Sequence, residues 1–278
     1  MAIEAGCITK GEDIEGLSKH EESSQSAQLD ITRIEITSES ASRKIGRPKG
    51  RYITLRAADG SFDEEVSCFN ERARLLAKEI AFMLPCDMSK GALFAGLGNR
   101  QITPDSIGPL AADRILATRH IDSTMLKELG ELARVSVISP GVLAQTGLET
   151  AEVISLIAER VKPSVIIVCD AFACSDMENL GTTIQLCDTG ISPGSGVHNS
   201  RAEISMSTMG APCIAIGIPT VADIAAVTGS EQEELKGMII TPSRIDTVAS
   251  RGSALISLAV NLALQGQLTP EEITALVG

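Results

Sequence analysis

"SVIIVCDAFA", residues 164–173, is the stretch whose reading decides the fold. Val165 through Cys169 are apolar without a break, so an extended segment here needs cover on both of its faces. A strand of that kind belongs inside a parallel sheet flanked by helices. The neighbouring segments agree. Upstream, "ETAEVISLIAERV" (149–161) carries apolar residues at helical spacing, and downstream "TTIQLCD" (182–188) alternates like an edge or antiparallel strand. "PCIAIGIPT" (212–220) reads as a second buried strand.

Further out, "NERARLLAKEIAFML" (70–84) is helical, and "GALFAGLG" (91–98) is a short buried strand ending in glycines. A helix is expected from about Pro104, since proline suits a first helical turn. "VSVISPG" (135–141) supplies another strand, and residues 242–265 a long apolar helix. "TPEEITAL" closes the chain, with Thr269, Pro270 and Glu272 reading as a capping box. Alternating strands and helices predict a three-layer α/β domain, with a mostly parallel sheet and helices on both faces. Residues 51–278 are expected to form that single domain. Residues 1–50 are polar and rich in Ser, Glu and Lys, and are expected to be a mobile arm or pro-segment. Within them "KIGRPKGRY" (44–52) reads as a basic turn leading into the strand "YITLRA".

Composition narrows the function. The 278 residues include no Trp, one Tyr and five Phe, which leaves no aromatic platform for stacking nucleic-acid bases. The net charge of −12 argues against a phosphate-backbone binder, so no direct nucleic-acid partner is expected. Seven scattered cysteines without C-x-x-C spacing read as reduced thiols of a cytosolic protein. The N-terminus lacks the pattern of a signal peptide, and the apolar runs are read as too short or too interrupted to span a bilayer. An intracellular, soluble protein is expected.

In parallel sheets ligands gather at the carboxyl ends of the strands. Two acidic residues occupy such ends. Asp170 terminates "VIIVCD", where burial raises a carboxyl pKa and a second carboxylate raises it further. Taken alone, Asp170 reads equally as a cap for a neighbouring loop; Asp105 follows the "GLGN" turn just inside a helix start, where an acidic side chain also complements the helix dipole. Facing each other, two carboxyl groups sharing one proton can hydrolyse an amide, the ionised one acting as base on water and the protonated one as acid. Gly96 and Gly98 permit close approach of backbone at one such turn; that turn, with Asn99, and the turn Gly194-Ser195-Gly196 are expected to shape the cleft and bind substrate.

Other chemistries lack their motifs. Gln101 stands where a third glycine would complete a dinucleotide fingerprint, and there is no G-K-[ST]. His20, His120 and His198 are not in H-E-x-x-H spacing, and "SPGSG" (192–196) reads as a glycine-rich turn rather than a nucleophile elbow. A Cys–His couple between His198 and Cys169, Cys174 or Cys187 is disfavoured by the cysteines' apolar surroundings. Asp188-Thr189-Gly190 matches the tripeptide of pepsin-like proteases, but those are all-β with two such loops. Here the tripeptide reads as a turn in which Gly190 supplies a positive φ.

The strings "GLGNRQITPDSIGPLAADRILATRH", "SPGVLAQTGLETAEVI", "CDAFACSDMENLGTTIQLCDTGISPGSGVHNSR", "GAPCIAIGIPTVADI" and "GMIITPSRIDTVAS" together resemble the germination protease family of spore-forming bacteria. That family's fold resembles the hydrogenase maturation endopeptidases. The resemblance implies an atypical aspartic endopeptidase with catalytic residues at Asp105 and Asp170 and no cofactor. It also implies substrates among the α/β-type small acid-soluble spore proteins, cleaved after Glu, and action in the spore or forespore cytoplasm. Family members are made as self-processing zymogens and assemble as tetramers. Glu35-Ile36-Thr37-Ser38-Glu39 is close to the family's cleavage pattern, with Thr37 in place of Ala, so self-cleavage at Glu35–Ile36 is expected. Two alternatives stay open: a non-catalytic relative that binds protein or ligand, and a metal-assisted peptidase using Asp105, Asp170 and His198.

Overall fold

The computed structural model describes residues 14–58, 62, 67–128, 130–194, 202–228, 235 and 237–277. In chain order the elements begin with strands β1 (Leu17–Ser24) and β2 (Leu29–Ile36), helix α1 (Glu39–Ile45), strand β3 (Gly50–Ala57) and helix α2 (Phe69–Met83). There follow β4 (Ala92–Gly96), α3 (Ile107–Ala112), α4 (Ser123–Glu128), β5 (Val135–Ile138), α5 (Leu143–Thr146) and α6 (Thr150–Val161). The chain continues through β6 (Val165–Cys174), β7 (Thr183–Cys187), α7 (Met206–Met209), β8 (Cys213–Asp223) and α8 (Ile224–Thr228). It closes with β9 (Ile239–Ile240), α9 (Ile245–Leu264) and α10 (Pro270–Val277).

All these strands join one nine-stranded sheet in the order β1-β2-β3-β7-β8-β6-β4-β5, with β9 pairing the end of β8. The apolar runs sit where expected: β5, β4, β6 and β8 are mutually parallel at the centre and one side. The rest is antiparallel, because β7 runs against both β8 and β3, and β1, β2 and β3 form a meander. The domain is thus α/β with a mixed sheet. Its antiparallel half comes largely from the N-terminal segment, which carries no helical crossovers.

Helices cover both faces. On one, α2, α3, α9 and α10 pack through Leu76, Ile80, Ile107, Ala111, Ile256 and Ile273 against Phe94, Ile167 and Ile216. On the other, α1, α6 and α7 contribute Ala41, Ile154 and Met209 over Leu93, Val168 and Ala215. The helix α9 is apolar and long enough to cross a bilayer, but most of it is buried in this core. Gly252 lets it lie close on β8, since a Cβ there would stand 2.2 Å from Cδ1 of Ile218. The capping box forms: Thr269 N–H donates to Glu272 Oε2 and Glu272 N–H to Thr269 Oγ1.

The expected mobile arm needs correcting for residues 14–50; residues 1–13 lie outside the described residues. β2 is paired along its length on both sides, to β1 and to β3. Its burial explains why the periodicity was easy to miss. Leu29 and Ile31 enter one core, whereas Ile34 and Ile36 enter the other, so the strand changes its buried face midway. Simple alternation is broken at that point and the segment reads as merely polar.

Candidate active site

Strand lengths create the site. The last paired residues of β4 and β6 are Gly96 and Cys169, but β6 runs on to Cys174 beside β8. Asp170 is therefore the first residue of β6 beyond the end of β4. The gap above β4 is filled by the turn Leu97–Ile102 and a 3-10 turn, Thr103–Asp105, ahead of α3. Leu97 N–H donates to the Cys169 carbonyl at 2.8 Å, which ties this loop to β6 next to Asp170.

Glycines allow the loop to sit so close. Gly98 has φ +110°, and a Cβ on it would stand 2.1 Å from the Asp105 carbonyl oxygen. Gly108 lies under the same turn, where a Cβ would stand 2.2 Å from the Leu97 carbonyl and 2.5 Å from that of Cys169. The peptide N–H of Asn99 donates to Asp105 Oδ2 at 2.7 Å. Asn99 Oδ1 in turn accepts from Gln101 N–H and from the Gln145 side chain of α5. Of the residues expected to shape a cleft, Gly98 and Asn99 thus hold Asp105, while Gly96 lies against Gly108 of α3. Gln145, which adds a tether from α5, carried no motif that would have singled it out.

The electrostatics join the two acids. Asp170 is 7% exposed, and its Oδ1 accepts the N–H of Ala171 at 2.9 Å. Burial, reinforced by the charge of Asp105, pushes its carboxyl pKa up to about 7. Burial raises Asp105 as well, opposed by the hydrogen bond from Asn99. Among the described residues neither acid has an ion-pair partner, and no hydrogen bond joins one to the other. The pair shares a field, with Asp170 the better holder of a proton and Asp105 the better holder of charge. Such a pair can take a proton from water at one side and give one at the other.

The remaining expectations fall elsewhere. Gly194 ends a described turn with φ +72°, whereas Ser195, Gly196 and His198 lie outside the described residues. Among the described residues no group of three or more His, Cys, Asp or Glu could hold a metal ion. Asp188-Thr189-Gly190 is the expected turn: Gly190 has φ +85°, and Asp188 Oδ1 accepts the N–H of Arg51. It borders a cavity of about 130 Å³ lined by Arg47, Tyr52, Cys187 and Glu203, to which neither Asp105 nor Asp170 contributes. The described cysteines are all free thiols. Glu35 and Ile36 are in β2, opposite Ser18 and Leu17 on one side and Arg51 and Gly50 on the other. Ile36 is 1% exposed. A peptide bond so placed cannot enter a protease cleft while the sheet is intact.

Residues 4–235 match the model of the family described as germination protease, Peptidase_A25. The chain is 35% identical to the germination protease of Caldanaerobacter subterraneus subsp. tengcongensis, over 100% of this chain and 97% of that one. It is 34% identical to that of Clostridium tetani, over 89% of this chain and 88% of that one. Against that of Priestia megaterium identity is 41%, over 78% of this chain and 58% of that one. Among solved structures, the [NiFe] hydrogenase maturation protease HycI from Thermococcus kodakarensis KOD1 is 20% identical. That likeness covers 61% of this chain and 91% of HycI at a TM-score of 0.36, too slight to argue from.

Proposed function

The chain belongs to the germination protease family of aspartic-type endopeptidases, and from that premise we propose that Asp105 and Asp170 are its catalytic pair. Asp105, stabilised as an anion by the Asn99 N–H, takes a proton from the attacking water. Asp170, kept protonated by burial and by the neighbouring charge, donates to the carbonyl oxygen of the substrate. When the tetrahedral intermediate collapses, a proton passes to the leaving nitrogen. The observation that carries this reading is the meeting of a buried carboxyl group on β6 with a half-buried one on the loop after β4, at the place where β6 outruns β4 and the charge of Asp105 raises the hold of Asp170 on a proton. Since the pair interacts, the proton belongs to both acids rather than to either alone.

The finer part of the proposal concerns substrate and setting. We propose small acid-soluble spore proteins as substrates, cut after Glu, with the enzyme acting inside the spore as a homotetramer made from a self-processing zymogen. Family membership supports this. The test is incubation of the purified chain with an α/β-type small acid-soluble spore protein, followed by mass mapping of the new ends. Cleavage after Glu that disappears in Asp170→Asn is expected. An intact substrate, or fragments that persist in the variant, would overturn the proposal.

A further inference from the structure

β8 carries one residue more than β6 where the two run side by side. Phe172 pairs with Pro219 and Ala173 with Val221, so Thr220 is the extra residue of a β-bulge. A bulge re-aims the side chain it carries, and bulges recur beside active sites. Here the side chain has a definite target. Thr220 is 0% exposed, and its Oγ1 donates to the Pro104 carbonyl at 2.7 Å. Pro104 immediately precedes Asp105 in the 3-10 turn.

The bond therefore ties the loop of one acid to the strand that flanks the other. Asp170 pairs with Gly217 of β8, three residues before Thr220. A Cβ at Gly217 would stand 2.1 Å from the Asp170 carbonyl oxygen, so β6 and β8 are in close register there. On the other side of Asp105, Asn99 N–H holds its carboxylate. The turn carrying Asp105 is thus held at both ends. One hold comes from its own loop and the other from β8. The second refers Asp105 to β8, the strand that flanks Asp170, as the Leu97 bond to the Cys169 carbonyl refers the start of the loop to β6.

We propose that Thr220 is a positioning residue, whose hydroxyl sets the placement of Asp105 relative to Asp170 through the Pro104 carbonyl. This rests on the catalytic pair proposed above. Thr220 touches neither substrate nor the reacting carboxyl groups; it acts through the peptide of Pro104. The side-chain requirement is a donor at that point of the bulge. Serine meets it and valine, of nearly the same shape, does not.

The test compares Thr220→Val with Thr220→Ser, using cleavage of the small acid-soluble spore protein by the full chain. Thr220→Val is expected to lower kcat by about 10- to 100-fold with little change in KM, since a displacement near 1 Å costs that much. Thr220→Ser is expected to keep kcat within about threefold, in line with a retained donor. Equal activity in the two variants, or a loss confined to KM, would overturn the inference. Should Thr220→Val fail to fold, Thr220→Ala replaces it with the same expectations and the same overturning results. A crystal structure of the hydroxyl-free variant separates this inference from the reading it rests on. A displaced Asp105 in a chain whose wild type cleaves nothing would leave the clamp standing and remove the catalytic proposal. An unmoved Asp105 would remove the clamp.

Discussion

Asp170 holds a proton near neutrality because it is buried beside another acid, which outweighs the Ala171 N–H that stabilises its charge. Two consequences follow for the residue. The proposed mechanism needs one ionised and one protonated acid, so kcat/KM should fall as pH rises through about 7, where Asp170 loses its proton. A rate profile that stays flat from pH 6 to 9, on the order of a threefold change or less, would contradict that assignment. Replacing either acid with Asn should lower kcat by at least about 100-fold, the usual worth of one general acid or base. The folded pKa of Asp170 also lies above its unfolded value of about 4. The folded state then binds more protons between about pH 4 and about pH 7, so its contribution to stability is present below that window and lost as pH rises through it. Each pH unit of displacement is worth about 1.4 kcal/mol, which sums to a few kcal/mol. Relative to wild type, Asp170→Asn should therefore gain melting temperature at pH 8 compared with pH 5. Thermal denaturation at both pH values measures the difference.

Between elements, the least expected contact is that of β2 with α2. Arg33 of β2 donates from Nε to Glu79 Oε2 at 2.9 Å and from Nη2 to Glu79 Oε1 at 2.6 Å. Glu79 is 3% exposed, so Arg33→Ala leaves a buried carboxylate without its partner. A loss on the order of 3 kcal/mol is expected in urea unfolding. A loss below about 0.5 kcal/mol would show that the hairpin is not tied to α2 in solution. This contact also marks where sequence reading stops. Strands β4, β6 and β8 were legible because continuous apolar runs need cover on both faces, and helices α2, α6 and α9 because one apolar face repeats. The position of Asp105 and Asp170 at strand ends was legible because apolar runs show where the strands stop, and strand ends are where a parallel sheet exposes chemistry. β2 was not, since its inward side changes between Ile31 and Ile34. β7 was legible as antiparallel but not as central, because centrality depends on β3 arriving from far upstream. Nor does any local pattern mark Thr220, whose role comes from a count of residues on two strands.

For the whole molecule, the folded sheet decides which peptide bonds the enzyme can reach. The Glu35–Ile36 bond lies inside the sheet, with paired strands on both sides. Incubation of the folded chain should leave that bond intact, as read by mass measurement of the N-terminal fragment. A new end at Ile36 would mean that β2 leaves the sheet during processing. The catalytic proposal rests on something more local: two carboxyl groups, one from a loop and one from a strand, that respond to each other's charge. Carbon-detected NMR titration of the Asp170 carboxyl, in wild type and in Asp105→Asn, tests this most directly. The expected midpoint is about 7 in wild type, and lower in the variant while still above the ordinary value near 4, because burial remains. A midpoint near 4 in wild type, or one unmoved by the substitution, would contradict the coupled pair.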